Sequence, residues 1–164
     1  MSIKPRRKIL IIEDSALDRD IIKKFLEKDT EYFNSTIDID EAEQGLKLCR
    51  TTHVDCIILD LQLPGIGGIE FMELLASQHE SLCWPVVVLT GEGDEQTAVE
   101  AMKVGAQDYL VKSKISADRL IRSVNNAIER VSYVRQREKK IFMLRKQNLE
   151  ILKENEDLKK KLQP

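Results

Sequence analysis

Four short apolar runs interrupt an otherwise polar chain: KILII (8–12), VDCIILD (54–60), PVVVLT (85–90) and DYLV (108–111). Ile and Val dominate them without regular alternation, which is the pattern of strands covered on both faces. A weaker stretch, STIDID (35–40), does alternate and predicts one more strand at an edge. Helical spacing fills the intervals. Ala16–Lys28 sets Leu17, Ile21 and Phe25 on one stripe behind Ser15 as N-cap, and Glu41–Thr51, Gly68–Gln78 and Glu95–Val104 follow as helices. Strands alternating with helices of this length require crossover connections, so the pattern predicts an α/β fold with five βα steps on a parallel sheet.

Beyond the fifth predicted strand the character of the chain changes. From Ser116 there is neither Gly nor Pro until Pro164, and charged residues dominate. Read as one helix, Ser116–Leu162 would be 47 residues long. At about 1.5 Å per residue it would reach roughly 70 Å, more than a small domain can cover. The expected organisation is therefore a globular domain over 1–130 and a helical extension over 131–164, continuous with the last helix of that domain.

Composition narrows the class. A chain of 164 residues with 42% hydrophobic content can build one proper core and is short for two. Its 26 basic and 28 acidic residues nearly cancel, so no overall positive field draws it to nucleic acid or to an anionic membrane. Cys49, Cys56 and Cys83 are odd in number and lack metal-ligand spacing, which points to a reducing cytoplasm without disulfide or zinc. The apolar run Ile9 to Ile12 is too short for a signal peptide, and nothing approaches a membrane span.

Candidate chemistry sits where the runs stop. In open parallel sheets ligands bind outside the carboxyl ends of the strands. Here the first predicted strand ends in Glu13-Asp14, the third in Asp60, the fourth in Thr90, and the fifth is followed by Lys112. Three clustered acids repel one another unless a cation neutralises them, and oxygen ligands with room for waters and a phosphoryl group suit Mg²⁺. Asp60 can then act as nucleophile toward a phosphoryl group, with Mg²⁺ held by Asp14 and Asp60 with help from Glu13. Lys112 supplies a second cation, and Thr90 a hydroxyl that can reach the new phosphoryl oxygen.

The motifs ILIIEDS, IILDLQLPGIGG, VVVLTGEGD and AQDYLVK, in this order and on these strand ends, resemble the receiver domain of bacterial two-component response regulators over about residues 7–130. That resemblance implies a doubly wound, flavodoxin-like sheet of order 2-1-3-4-5. It makes Asp60 the phosphoacceptor, and gives the metal Glu13, Asp14, Asp60 and the backbone carbonyl of Gln62. Thr90 and Tyr109 become a switch pair, Lys112 the phosphate-contacting lysine, and the partner a sensor histidine kinase or phosphotransfer protein. Two positions depart from the family pattern: Ser113 follows the lysine where a proline in a cis bond is usual, and Gly67-Gly68 replaces a frequent Asp-Gly. Phosphorylation is expected to survive both. Gln62 and Glu92, flanking the site, are expected to tune phosphoryl lifetime.

In the extension, Ile141, Leu144, Asn148, Ile151, Asn155, Leu158 and Leu162 step by three and four along one heptad seam. Both asparagines fall at position a, where a polar pair favours a parallel two-stranded coil in one register. The expected assembly is a parallel homodimer tightening after about residue 140, since Arg130 and Arg137 occupy core positions upstream. Leu149 and Leu152, beside the seam, could instead face another domain. Such a coil could lead into an output domain of a longer protein or serve a downstream protein by dimer geometry alone. Other readings are an unphosphorylated dimerising adaptor, a flavodoxin-like FMN carrier, and a phosphatase with an aspartyl-phosphate intermediate, though Gln62 stands where such an enzyme has a second aspartate. His53 and His79 are expected exposed and without partners, Gly91-x-Gly93 and Gly65-x-Gly67-Gly68 as turns, and Trp84 as packing at the entry to the fourth strand.

Overall fold

The computed structural model describes residues 4–77 and 84–161. The chain divides into two units, Met1–Val131 and Ser132–Pro164. In the first, strands β1 (Arg6–Ile12), β2 (Phe33–Ile39), β3 (Cys56–Asp60), β4 (Val86–Thr90) and β5 (Asp108–Val111) alternate with helices α1 (Ala16–Leu26), α2 (Ala42–Thr51), α3 (Gly68–Ala76) and α4 (Glu95–Val104). A short 3₁₀ turn, Lys112–Lys114, leads from β5 to α5 (Ala117–Lys161). All strand pairings are parallel, in the order β2-β1-β3-β4-β5. Gln78, His79 and Cys83 lie outside the described residues, as does Leu162.

Successive residues of a strand point to opposite faces, and both faces here are apolar. Leu10, Ile12, Ile57, Leu59, Val86 and Val88 pack against Ala42, Phe71, Met72, Leu75 and Ala101 of α2, α3 and α4. Ile9, Ile11, Cys56, Ile58, Val87, Leu89 and Leu110 pack against Ile22 and Leu26 of α1 and Leu120, Val124 and Ala127 of α5. This double covering is why the runs carry no alternation. Edge strand β2, by contrast, mixes half-buried and exposed positions. Trp84 packs against the first cluster, as expected of its place before β4.

One expected stripe is corrected. Helix α1 buries Ile22 and Leu26, flanked by Phe25, whereas Leu17 is 71% exposed. The helix is turned so that the i, i+4 pair Ile22/Leu26 meets the sheet, which leaves the first turn clear of the core. Ser15 caps the helix as expected, its hydroxyl accepting from Asp18 N at 3.3 Å. His53 is exposed but not unpartnered, since its Nε2 lies 3.2 Å from Asp55 Oδ1.

The second unit is the remainder of α5. Ile141, Leu144, Asn148, Ile151, Asn155 and Leu158 are all solvent-exposed in the single chain, as are Phe142, Met143, Leu149 and Leu152. Among the described residues no helix is long and apolar enough to cross a membrane.

Gly68 opens α3 against the backbone that carries Asp60. A Cβ there would lie 2.5 Å from Asp60 O and 2.8 Å from Leu61 Cα, whereas one on Gly67 would meet nothing nearer than 3.9 Å. Gly68→Ala should therefore lower stability by about 1–3 kcal/mol, the usual cost of overpacking, and Gly67→Ala by clearly less. Urea unfolding of the two variants side by side checks the contrast.

Candidate functional site

Strand register assembles the site. Ile12 pairs with Leu59, Asp60 with Leu89, and Thr90 with Val111. The residues one step past β1, at the end of β3, at the end of β4 and one step past β5 thus come level at one rim of the sheet. These are Glu13, Asp60, Thr90 and Lys112. β1 and β3 are neighbours in the sheet although a helix-strand-helix excursion separates them in sequence, so Glu13 and Asp60 meet.

Carboxylate oxygens of Glu13, Asp14 and Asp60 lie within 4.8 Å of one another. Glu13 is fully buried, Asp60 is 2% exposed, and Asp14 opens to solvent. Lys112 Nζ bridges the two buried acids, 2.7 Å from Glu13 Oε2 and 2.8 Å from Asp60 Oδ2. The second oxygens are held by backbone amides: Gln62 N donates to Asp60 Oδ1 at 3.0 Å, and Ser15 N to Glu13 Oε1 at 3.1 Å. Glu13 Oε2, although close to the ammonium, receives no well-directed hydrogen bond.

Electrostatics follow from this packing. Burial pushes the Glu13 carboxyl up to about 7 from 4.5; the adjacent Lys112 ammonium works against the rise and the Asp60 charge adds to it. Burial by itself would lower the Lys112 pKa, but the hydrogen bond it donates to Asp60 and its ion pair with Glu13 outweigh it, and the ammonium is held above its ordinary range. A pair of buried acids bridged by one ammonium leaves excess negative charge. The all-oxygen donors, one of them open to solvent and one with an undirected buried oxygen, fit a small divalent cation that keeps waters, as Mg²⁺ does.

The remaining expected residues lie around this centre. Thr90 ends β4 and is 2% exposed, whereas Tyr109 on β5 is 38% exposed. Their register puts both side chains on the sheet face that α4 covers, because Tyr109 pairs with Val88 and Thr90 with Val111. The Gln62 side chain turns away from the acids and donates from Nε2 to Asp94 Oδ2 at 2.7 Å. Among the described residues every peptide bond is trans, Lys112–Ser113 included. Without the usual proline, Ser113 Oγ instead donates to Glu92 Oε1 at 2.7 Å, joining the turn after β5 to the loop after β4.

Two participants carry no signal in the sequence. Asp18, on the first turn of α1, places Oδ2 3.4 Å from Lys112 Nζ. Arg19 sits behind the acidic pair and donates to its backbone. Neither lies at a strand end, and only the path of α1 over the sheet rim brings them there.

The chain matches the family described as the response regulator receiver domain over residues 9–125, and it belongs to that family. Among its relatives, the transcriptional regulatory protein FixJ of Bradyrhizobium diazoefficiens is 35% identical over 120 residues, covering 73% of this chain and 56% of FixJ. The phosphate regulon transcriptional regulatory protein PhoB of Klebsiella pneumoniae is 29% identical over 126 residues, covering 77% and 53%. The chain thus spans about half the length of these two curated relatives, and 17% of the regulatory protein LuxO of Vibrio vulnificus. In structure it is similar to a receiver domain protein from Clostridium thermocellum, with TM-score 0.68 and 31% identity over 78% of this chain and 98% of that one.

Glu13 supplies a pH signature of the metal-free site. Its folded pKa lies above its unfolded one, so its contribution to stability is full below about 4.5 and is lost as pH rises to about 7. Glu13→Gln should remove that decline, visible when urea midpoints are compared below and above the window. In Asp60→Asn the Glu13 carboxyl should titrate below about 7, because one raising charge is gone and Lys112 turns wholly to Glu13; carboxyl carbon NMR reads this directly.

Proposed function

We propose that this receiver domain accepts a phosphoryl group on Asp60 from a sensor histidine kinase or phosphotransfer protein. The observation that carries the reading is the buried Asp60 carboxylate, bridged by Lys112 to Glu13 and sharing an oxygen cluster with Glu13 and Asp14. Glu13, Asp14, Asp60 and the Gln62 carbonyl would hold Mg²⁺, which offsets charge on the phosphoryl oxygens when bound.

The chain's own groups divide the remaining work. An Asp60 carboxylate oxygen forms the bond to phosphorus as the bond from phosphorus to the donor's imidazole nitrogen breaks, and the imidazole leaves with that electron pair. Gln62 N holds Asp60 Oδ1 and so orients the carboxylate. Lys112, fixed as an ammonium, shifts from the free carboxylates to the new phosphoryl oxygens. Thr90 then hydrogen-bonds a phosphoryl oxygen, and Tyr109 follows toward the space it vacates on the same sheet face. This relay is a two-state change biased by a local charge.

Helix α5 (Ala117–Lys161) is the output element in this reading. The seam of Ile141, Leu144, Asn148, Ile151, Asn155 and Leu158 is exposed in the single chain, and a second copy aligned in parallel would cover it. Phosphorylation would alter the packing of the receiver part of α5 and reach the coil as a rotation or register shift. A further output domain or a downstream protein would read that change.

Acetyl phosphate with Mg²⁺ should label the wild-type chain and leave Asp60→Asn unlabelled, as read by phosphate-affinity electrophoresis. Absence of label in both would leave the unphosphorylated adaptor as the better account. For the coil, Ile151→Lys combined with Leu158→Lys should halve the mass measured by light scattering while leaving the receiver folded. An unchanged mass removes the dimer seam from the proposal.

A further inference from the structure

We infer that Arg19 is a positioning residue that presents the acidic pair Glu13-Asp14 to the cation from behind, through the backbone. Arg19 Nη1 donates to Glu13 O at 2.5 Å and to Asp14 O at 3.0 Å, two consecutive carbonyls of the loop between β1 and α1. Its Nε lies 3.5 Å from Asp38 Oδ2 on β2, and the side chain is 17% exposed. The guanidinium is therefore anchored at one edge to the sheet and grips the loop with the other. A planar fork of donors can do this, and a point-charge ammonium cannot do it equally well.

The arrangement answers a specific difficulty. Mutual repulsion among three carboxylates drives Asp14, the one open to solvent, away from the other two. Glu13 is already tied to the neighbouring strand, its N–H donating to Ile39 O at 3.1 Å. Among the described residues the Asp14 N–H has no such tie, and the Arg19 bond to its carbonyl fixes the peptide that carries it. Outer partners that orient ligands in this way commonly govern metal affinity by about 10–100-fold.

Arg19 also differs in kind from Lys112. Lys112 occupies the carboxylate oxygens themselves, at 2.7 and 2.8 Å, and so competes with an entering cation. Within the acidic pair Arg19 bonds only the Glu13 and Asp14 carbonyls and leaves the carboxylate oxygens open. The two cations thus have opposite signatures. Removing either one makes the site more negative, which by charge alone tightens cation binding. Removing Lys112 should do that. Removing Arg19 should weaken binding, because geometry is lost along with the charge.

This inference rests on the proposal that Glu13, Asp14 and Asp60 hold Mg²⁺. Calorimetric titration of the full chain with MgCl₂, alongside the shifts of the Glu13 and Asp14 amide resonances, tests the two separately. Should the wild type bind no Mg²⁺, the underlying proposal fails. If it binds, Arg19→Gln should weaken binding about 10–100-fold, with Asp38→Asn weaker in the same direction by less, and Lys112→Met tighter. Equal or tighter binding in a folded Arg19→Gln protein overturns the positioning role, whatever happens to its melting temperature. Where Arg19→Gln does not fold, Arg19→Lys takes its place: intermediate affinity supports the fork, and wild-type affinity overturns it.

Discussion

Everything in this molecule's working end depends on one ammonium group held between two carboxylates that the fold has removed from water. Burying Glu13 and Asp60 would be strongly unfavourable if they stood alone. Lys112 makes the burial tolerable, but it does so incompletely, since one positive charge faces Glu13, Asp60 and the neighbouring Asp14 and Asp18. The residual negative charge is what a divalent cation can neutralise. Burial itself raises the Glu13 pKa, and the charge of Asp60 adds to the rise.

Topology supplies the geometry for this balance. The sheet order reverses between β1 and β3, and that point receives Glu13 from just past β1 and Asp60 from the end of β3. Register then brings Thr90 and Lys112 to the same rim from β4 and β5. Hydrogen bonds between loops complete the frame: Gln62 to Asp94 links the loops after β3 and β4, and Ser113 to Glu92 links those after β4 and β5. Any displacement of Thr90 on its strand end must work through loops tied on both sides.

The two units bury apolar surface in different ways. In the first, both faces of the sheet are closed by helices within the chain, and the core is complete. In the second, a single helix carries a row of large apolar side chains that are exposed among the described residues.

The apolar runs, the acids and hydroxyl at their ends, Lys112 and the heptad spacing after Ile141 could all be read along the chain. Each is a local property, since side-chain periodicity and the place where an apolar run stops do not depend on what lies across the molecule. Sheet order could be anticipated through resemblance to a family, and the structure bears it out. The face of α1 could not: Leu17 fits the helical stripe as well as Ile22 does, and only contact with the sheet selects Ile22 and Leu26. Asp18, Arg19 and the Ser113–Glu92 bond were equally invisible. Their roles arise from distances between elements far apart in sequence, and such distances exist only once strand register and helix rotation have been decided by packing.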